Sequence, residues 1–162
     1  MAIMEHTMNT DVRDIMVQIK KEGGFFRSFS EEEIGQTSSY FKISEYLAGS
    51  VVAKPREPLN LMGILVSGEA IYEEETELKG RWIVQARMTR GSILAPPSMF
   101  GVQPPPVRVS LPKDSVFLAI DGSSFDSFLK KHPEIGIKFQ QELIRVLFIR
   151  LRNYASRFTG VS

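Results

Sequence analysis

The sequence contains no cysteine and only two histidines among its 162 residues. Without cysteine the chain has no disulfide bonds, thiolate-bound zinc, iron–sulfur clusters or thiol nucleophiles, and a cytoplasmic location is favoured. The two histidines, His6 and His132, lie far apart and have no cluster of carboxylates beside them. The sequence therefore predicts no metal site.

Long apolar runs and a strong net charge are missing as well. No run approaches the roughly 18 residues that cross a membrane, and Met1 to Asn9 lacks the basic and apolar regions of a signal peptide. The formal net charge of +1 gives no general attraction to nucleic acids. Because no nucleophile elbow, phosphate-binding loop or dinucleotide fingerprint occurs, we expect no enzyme activity.

The length is sufficient for one domain with a substantial core. We expect a disordered tail over residues 1–9 and a single domain over residues 10–162. Within this domain the patterns predict helices over 10–38, a β-barrel over 40–120 and C-terminal helices over 123–158.

Two helices are predicted before the first strand. Apolar residues recur at helical spacing from Val12 to Ile19, with Thr10 as the expected N-cap and Gly23-Gly24 as the stop signal. Ser30 and Glu33 form the pattern of a capping box, in which each residue hydrogen-bonds the backbone of the other. A second, short helix should therefore begin at this point.

The middle of the chain changes to a period of two, which is typical of strands. Turn signals separate short segments of alternating apolar and polar residues. The predicted strands cover residues 40–46, 51–53, 62–66, 70–75, 82–88, 107–111 and 115–120. This pattern predicts a mainly β fold, a double-stranded β-helix (jelly-roll) barrel with N-terminal helices and a C-terminal helical arm.

The predicted C-terminal arm has a short helix, capped by Ser123 or Ser124, and a long helix that begins near Pro133. One apolar face of the long helix, which contains Phe139, Leu143 and Val146, should cover the barrel. A second face has the alternating spacing of three and four that is typical of coiled coils. Its predicted role is a homodimer interface, because an exposed stripe of this length is an association site. The residues of this stripe are Ile144, Leu147, Leu151, Tyr154 and, at its end, Phe158.

Several short motifs occur in an order known from one family. They are the aromatic and Ser-Glu-Glu segment 26–34, Ala48-Gly49-Ser50-Val51-Val52, a strand that ends in Ser67-Gly68-Glu69, the exit strand at Ile120-Asp121, and His132-Pro133-Glu134. In this order they resemble the cyclic-nucleotide-binding domain family, which includes the effector domain of the catabolite gene activator and the regulatory subunits of cyclic-AMP-dependent kinase. The resemblance covers nearly the whole chain after Gly24 and implies a regulatory function.

By this resemblance, the segment from Gly91 to Ser115 corresponds to the family's phosphate-binding cassette and has its usual length. The Gly-Glu positions of the family fall on Ala95 and Pro96, and its Pro-Arg-Ala positions fall on residues 104–106, which are all proline. The family-equivalent ligand-binding positions of a degenerate pocket are Ala95, Pro96, Pro97, Pro105, Pro106, Val107 and Arg108.

These replacements remove the groups that a cyclic phosphate needs, which are backbone N–H donors and a guanidinium. Pro96 and Pro97 have no N–H, and Pro105 has no charge. Arg108 is the nearest cation, but on an alternating strand it need not share a face with Pro105. We therefore expect that cyclic AMP and cyclic GMP do not bind in the usual manner and that no cofactor is present. Side chains of the loop, such as Phe100, should fill the lost site.

A second departure is Arg56, which stands in a turn where the family has glycine. An arginine is unfavourable at positive φ, so a left-handed backbone is not expected there.

Two functions stay open at this stage. The first is a stand-alone regulatory module that acts through an unknown protein partner. The alternative is a small-molecule sensor that binds a cyclic nucleotide or another ligand in an altered pocket. DNA binding is not expected, because the family's transcription factors add a helix-turn-helix domain after the long helix and this sequence ends a few residues beyond it.

Overall fold

The computed structural model describes residues 11–159, so the predicted tail over residues 1–9 and the predicted cap Thr10 lie outside it. The first helix, α1, covers Val12–Lys21 and buries Ile15, Met16 and Ile19. Its N-cap is Asp11, whose carboxylate accepts a hydrogen bond from the Arg13 N–H at 3.2 Å. An aspartate at this position satisfies one of the unpaired N–H groups at the helix start.

The second helix, α2, covers Glu31–Ser38 and confirms the capping box. Ser30 Oγ accepts from the Glu33 N–H at 3.1 Å, and Glu33 Oε1 accepts from the Ser30 N–H at 3.0 Å. The chain then turns before the first strand. Tyr40 and Phe41 were predicted to be part of that strand, but their N–H groups donate back to the end of α2. The strand prediction for these two residues is therefore wrong.

Eight strands follow and form two antiparallel four-stranded sheets. Sheet A has the order β1-β8-β3-β6, and sheet B has the order β2-β7-β4-β5. The strands are β1 Lys42–Tyr46, β2 Val51–Ala53, β3 Leu61–Ser67, β4 Ala70–Glu75, β5 Trp82–Met88, β6 Ile93–Leu94, β7 Val107–Ser110 and β8 Ser115–Asp121.

The mainly β, jelly-roll fold class with helices at both ends is confirmed, but the two sheets do not join into a closed barrel. Strands β6 and β2 are only two and three residues long, and each pairs with a single neighbour. Each sheet therefore keeps two edge strands.

Two further helices complete the described chain: α3, Gly122–Lys131, and α4, Pro133–Thr159. The cap of α3 is Asp121, whose Oδ1 accepts a hydrogen bond from the Ser124 N–H at 2.7 Å. The prediction that Ser123 or Ser124 caps this helix is wrong, because both residues lie inside the helix and Ser124 is the donor. Among residues 11–159, none of the helices combines the length and the apolar character that a membrane crossing requires.

Helix α4 packs against the rest of the domain through Phe139, which is fully buried. The ring of Phe139 contacts five other phenylalanine rings, from the segment after α1, from the approach to β1 and from α3. These are Phe25, Phe29, Phe41, Phe125 and Phe128. Leu143 is also buried, and Val146 packs against the same cluster, as predicted for this face.

The second face of α4 is exposed. Ile144 is 52% exposed, Leu147 51%, Leu151 61% and Tyr154 45%. Phe148, which the prediction did not include, is 67% exposed beside them. The side chain of Phe158 lies outside the described part of the chain. The exposure of this face agrees with the predicted interface, and the interface itself stays a prediction.

Candidate functional site

The proline-rich segment connects β6 of sheet A to β7 of sheet B. Pro96 is buried and precedes a short 3-10 helix, Pro97–Phe100, in which Pro97 is exposed. Gly101 ends this helix with a φ of 74°, which favours glycine. Ala95, just before it, packs against the main core cluster. The first half of the candidate site is therefore a rigid turn on the core.

Polar groups of this turn are engaged within the protein. The N–H groups of Met99 and Val102 donate to Pro96 O and Pro97 O, both at 3.1 Å. Ser98 Oγ donates to Leu59 O at 2.9 Å and accepts from the Leu59 N–H at 3.1 Å. Pro96 and Pro97 have no N–H, so neither residue can donate a hydrogen bond to a phosphate at this helix start.

The second half of the candidate site, residues 105–108, packs against two other segments. Pro105 O accepts from the Arg56 N–H at 2.9 Å, and Pro106 O accepts from the Glu75 N–H at 3.0 Å. Arg56 has a φ of 60°, so the expectation that it avoids a left-handed backbone is wrong. Its Nη1 donates to Glu75 Oε2 at 3.1 Å, and these two bonds hold the residue in place.

Arg108 lies on the outer face of sheet B. Its Nε donates to Glu73 Oε2 at 2.6 Å, and its guanidinium stacks 4.0 Å from the centre of the Trp82 ring. Glu73 is the residue directly opposite Arg108 across the β4–β7 pair. The next residue, Val109, is 1% exposed and packs in the cluster between the sheets. Because successive side chains of a strand point to opposite faces, Arg108 faces away from that space.

The space between the sheets is small and apolar. It leaves a cavity of about 20 Å³. The residues that line it are Tyr46, Val52, Leu59, Leu61, Gly63, Leu94, Phe117 and Ala119. Phe117 from β8 occupies much of this space: its ring contacts that of Tyr46, and a Cβ on Gly63 would lie 2.9 Å from it.

Phe100 does not fill the space, in contrast to the expectation. It is 45% exposed, and its ring packs against Phe125 of α3. The residue that fills the space, Phe117, lies outside the proline-rich loop and reads in the sequence as an ordinary strand residue. The aromatic residue Trp82 of β5 does not line the space either, because it is on the outer face with Arg108.

Tyr72 is a polar residue of this region that the sequence did not single out. It lies opposite Val109 in the β4–β7 register and packs against the cluster between the sheets. Burial raises the pKa of Tyr72 to about 12, although the charge of Arg150 acts in the opposite direction. The hydroxyl is therefore neutral at physiological pH. Within residues 11–159, no group of three His, Asp or Glu side chains could hold a metal ion.

No protein-family sequence model matches this chain, and no curated protein matches it by sequence. Its structure, in contrast, is similar to a cyclic nucleotide-binding domain from Methylobacillus flagellatus, with a TM-score of 0.80 and 19% identity. That match covers 93% of this chain and 84% of the other.

Two further structures extend the comparison. The catabolite activator protein of Thermus thermophilus matches with a TM-score of 0.72 and 18% identity, over 85% of this chain and 62% of the other. The regulatory domain of Toxoplasma gondii PKA, solved with cAMP, matches with a TM-score of 0.65 and 11% identity, over 82% of this chain and 50% of the other. The resemblance inferred from the sequence motifs is confirmed at the level of the fold.

Proposed function

Because this chain has the fold of cyclic nucleotide-binding domains, which serve regulation, we propose that it is a regulatory module that does not bind cyclic AMP or cyclic GMP in the usual manner. The main support for this proposal is the small size of the cavity between the sheets. Its cavity of about 20 Å³ has an apolar lining. Small-molecule sites measure about 300 Å³ or more, so a nucleotide has no room there.

The charges around the cassette support the same conclusion. Arg108, the cation among the family-equivalent positions, is held on the outer face of sheet B by Glu73 and Trp82. Arg56, whose N–H donates to Pro105 O, is paired with Glu75. A phosphate bound among Pro96, Pro97 and Pro105 would lose its hydration while both arginines stay paired with carboxylates. Burying such a charge unpaired costs several kcal/mol (about 3 or more).

The module acts, in this proposal, through the exposed stripe of α4, and the partner is a second copy of the chain. Ile144, Leu147 and Leu151 are each at least half exposed and follow one another at the three–four spacing of a coiled-coil seam. A stripe of this kind is self-complementary, so two copies of α4 can pack around a twofold axis. Dimer formation would then remove the large apolar side chains of this helix face from water in both copies.

The alternative, a small-molecule sensor, requires a ligand site outside the space between the sheets. A cleft of about 350 Å³ between α1, the β5–β6 turn and α4 has the size for such a ligand.

The first experiment is a calorimetric titration of the full chain with cyclic AMP and with cyclic GMP, up to about 1 mM ligand. We expect no saturable heat. Saturable binding of either nucleotide would overturn the proposal. In that case Arg108→Ala would show whether the guanidinium leaves Glu73 to reach the phosphate.

The second experiment is sedimentation equilibrium of the wild type at about 50 µM, a range in which weak dimers form. We expect a dimer that Leu147→Glu and Leu151→Glu each convert to a monomer. Leu78→Glu is the matched control, because Leu78 is 61% exposed at the β4–β5 turn, away from α4. A monomeric wild type, or equal loss of the dimer in the control, would contradict the partner proposal.

A further inference from the structure

A cleft of about 350 Å³ lies where three parts of the chain meet, outside the space between the sheets. The end of α1 and the turn after it form one side, the β5–β6 turn forms the second, and α4 forms the third. This volume is within the range of small-molecule sites. The proline-rich segment from Pro96 to Arg108 does not contribute to its lining.

Three arginines line this cleft: Arg90 from the β5–β6 turn, and Arg145 and Arg150 from α4. One carboxylate, Glu22, is among the lining residues. Glu142 is not part of the lining but pairs with Arg145, so three arginines and two carboxylates leave an excess of one positive charge at the cleft. A concave surface strengthens the field of that charge.

The three guanidiniums are held in position by the protein. Arg90 donates from Nε to Glu22 Oε2 and from Nη1 to Val66 O, both at 2.8 Å. Arg145 donates from Nε to Glu142 Oε1 at 2.9 Å, and Arg150 donates from Nη2 to Ile93 O at 2.5 Å. Ordered side chains lose little conformational entropy when a ligand binds.

Each guanidinium still has a terminal nitrogen to offer. The hydrogen bonds to the protein use Arg90 Nε and Nη1, Arg145 Nε and Nη2, and Arg150 Nη2. Arg90 and Arg145 also keep 40% and 34% of their side-chain surface exposed. The cleft therefore has pre-positioned cations with donors that a ligand can use.

We infer that this cleft binds a small phosphate-bearing ligand, whose phosphate pairs with Arg90, Arg145 and Arg150. Guanidinium groups pair with phosphate oxygens through two parallel hydrogen bonds, and three of them match a tetrahedral dianion better than a carboxylate. Apolar lining from Val146 and Ile149 suits the remainder of such a ligand. The cleft includes Gly91 to Ile93 at the start of the cassette but none of the family-equivalent ligand-binding positions between Ala95 and Arg108. The inference does not depend on the proposed function.

Binding would add polar contacts between elements that meet at the cleft. Two of the three cations belong to α4 and the third to the β5–β6 turn, so one phosphate would tie the long helix to sheet A and α1. The expected consequence is thermal stabilisation of the whole chain on binding.

The experiment titrates the full chain with inorganic pyrophosphate at constant ionic strength, followed by calorimetry and by the thermal unfolding midpoint. We expect saturable binding and a higher midpoint. Arg90→Gln, Arg145→Gln and Arg150→Gln should each weaken binding about tenfold or more, since each removes charged hydrogen bonds. Arg152→Gln is the matched control: Arg152 is exposed on the same helix and outside the cleft, and its loss changes the charge equally. This control should stay within about twofold of the wild type.

Amide spectra of the wild-type protein locate the site without any variant. We expect pyrophosphate to shift the amide signals of Gly23, Gly24 and Gly91, which line the cleft. If Arg150→Gln fails to fold, Arg145→Lys keeps the charge and loses the planar donor pair, and it should still weaken binding. Absence of saturable binding, equal weakening by Arg152→Gln, or amide shifts confined to other regions would overturn the inference.

Discussion

Arg108 and Glu73 face each other across β7 and β4 and are joined by a hydrogen bond of 2.6 Å between Nε and Oε2. The Trp82 ring lies under the same guanidinium. All three side chains are on the outer face of sheet B, because Val109 and Tyr72 occupy the inner face in the same register. Arg108 therefore joins two strands on the outer face of sheet B and faces away from the space between the sheets.

A double-mutant cycle on Arg108→Ala and Glu73→Ala measures how strongly this pair is coupled. The side chains are 35% and 18% exposed, and we expect a coupling of about 1 kcal/mol in the free energy of unfolding by urea. The control is the pair Arg56 and Glu75 on the same sheet, where the arginine is 66% exposed. Its coupling should be about half as large or less. Equal coupling energies in the two cycles would contradict the expectation that the less exposed Arg108–Glu73 pair is the more strongly coupled one.

Truncation to alanine should have different effects at two leucines of α4 that lie one turn apart. Leu143 is 4% exposed and Leu147 is 51% exposed. Leu143→Ala leaves a cavity under the helix and should lower the free energy of unfolding by about 2–5 kcal/mol. Leu147→Ala should leave the unfolding of the monomer within about 0.5 kcal/mol and weaken the dimer instead. Urea unfolding at low protein concentration, with sedimentation in parallel, separates the two effects, and a large loss of monomer stability in Leu147→Ala would refute the assignment of faces.

Tyr72 makes the stability of the fold sensitive to high pH. Its pKa is raised from 10 to about 12, so the folded state keeps the proton more tightly than the unfolded chain. The stabilisation is complete below pH 10 and is lost as the pH rises through about 12. We expect Tyr72→Phe to unfold with a shallower decline in stability above pH 10, and its tyrosinate absorbance should lack the step near 12. Tyr154→Phe is the control and should keep that step.

Glu33 makes the stability of the fold decrease at low pH, whereas Tyr72 makes it decrease at high pH. Hydrogen bonds from Lys138 Nζ, at 2.8 Å, and from the Ser30 N–H lower the pKa of Glu33 below its usual 4.5. The stabilisation is present above pH 4.5 and is lost as the pH falls through the lowered pKa. Glu33→Gln should therefore destabilise the protein near neutral pH and make less difference in acid. Glu32→Gln removes a charge from the same turn without touching the capping box, and it should cost less stability near neutral pH.

Local patterns predicted the limits of three strands correctly next to turns that contain glycine. The predicted limits of β2, β4 and β5 agree with the structure, and Gly49, Gly68 and Gly80 adopt positive φ in the neighbouring turns. At such positions the glycine marks, in the sequence, the turn that bounds the strand. The cap of α3 was missed because Asp121 is both the last residue of β8 and the N-cap, a double role that an alternating pattern hides.

The candidate site was less predictable, because its decisive contacts join distant segments. The partners Arg108 and Glu73 are 35 residues apart. Their contact depends on the register between β4 and β7, which no local pattern specifies. The changed ligand site that the prolines of the cassette indicate stays a prediction. The residue that occupies the space between the sheets, Phe117, could be identified only once β8 was placed in the middle of sheet A.

The position of β8 inside sheet A also determines when this sheet can assemble during protein synthesis. β8 lies between β1 and β3, yet it is the last strand to leave the ribosome. Until Ser115–Asp121 has emerged, β1 has no partner in sheet A and the apolar strand β3 has one side unpaired. Sheet A therefore assembles only after nearly all the strands have been synthesised, and a nascent chain stalled before residue 115 exposes an apolar edge that a chaperone would recognise.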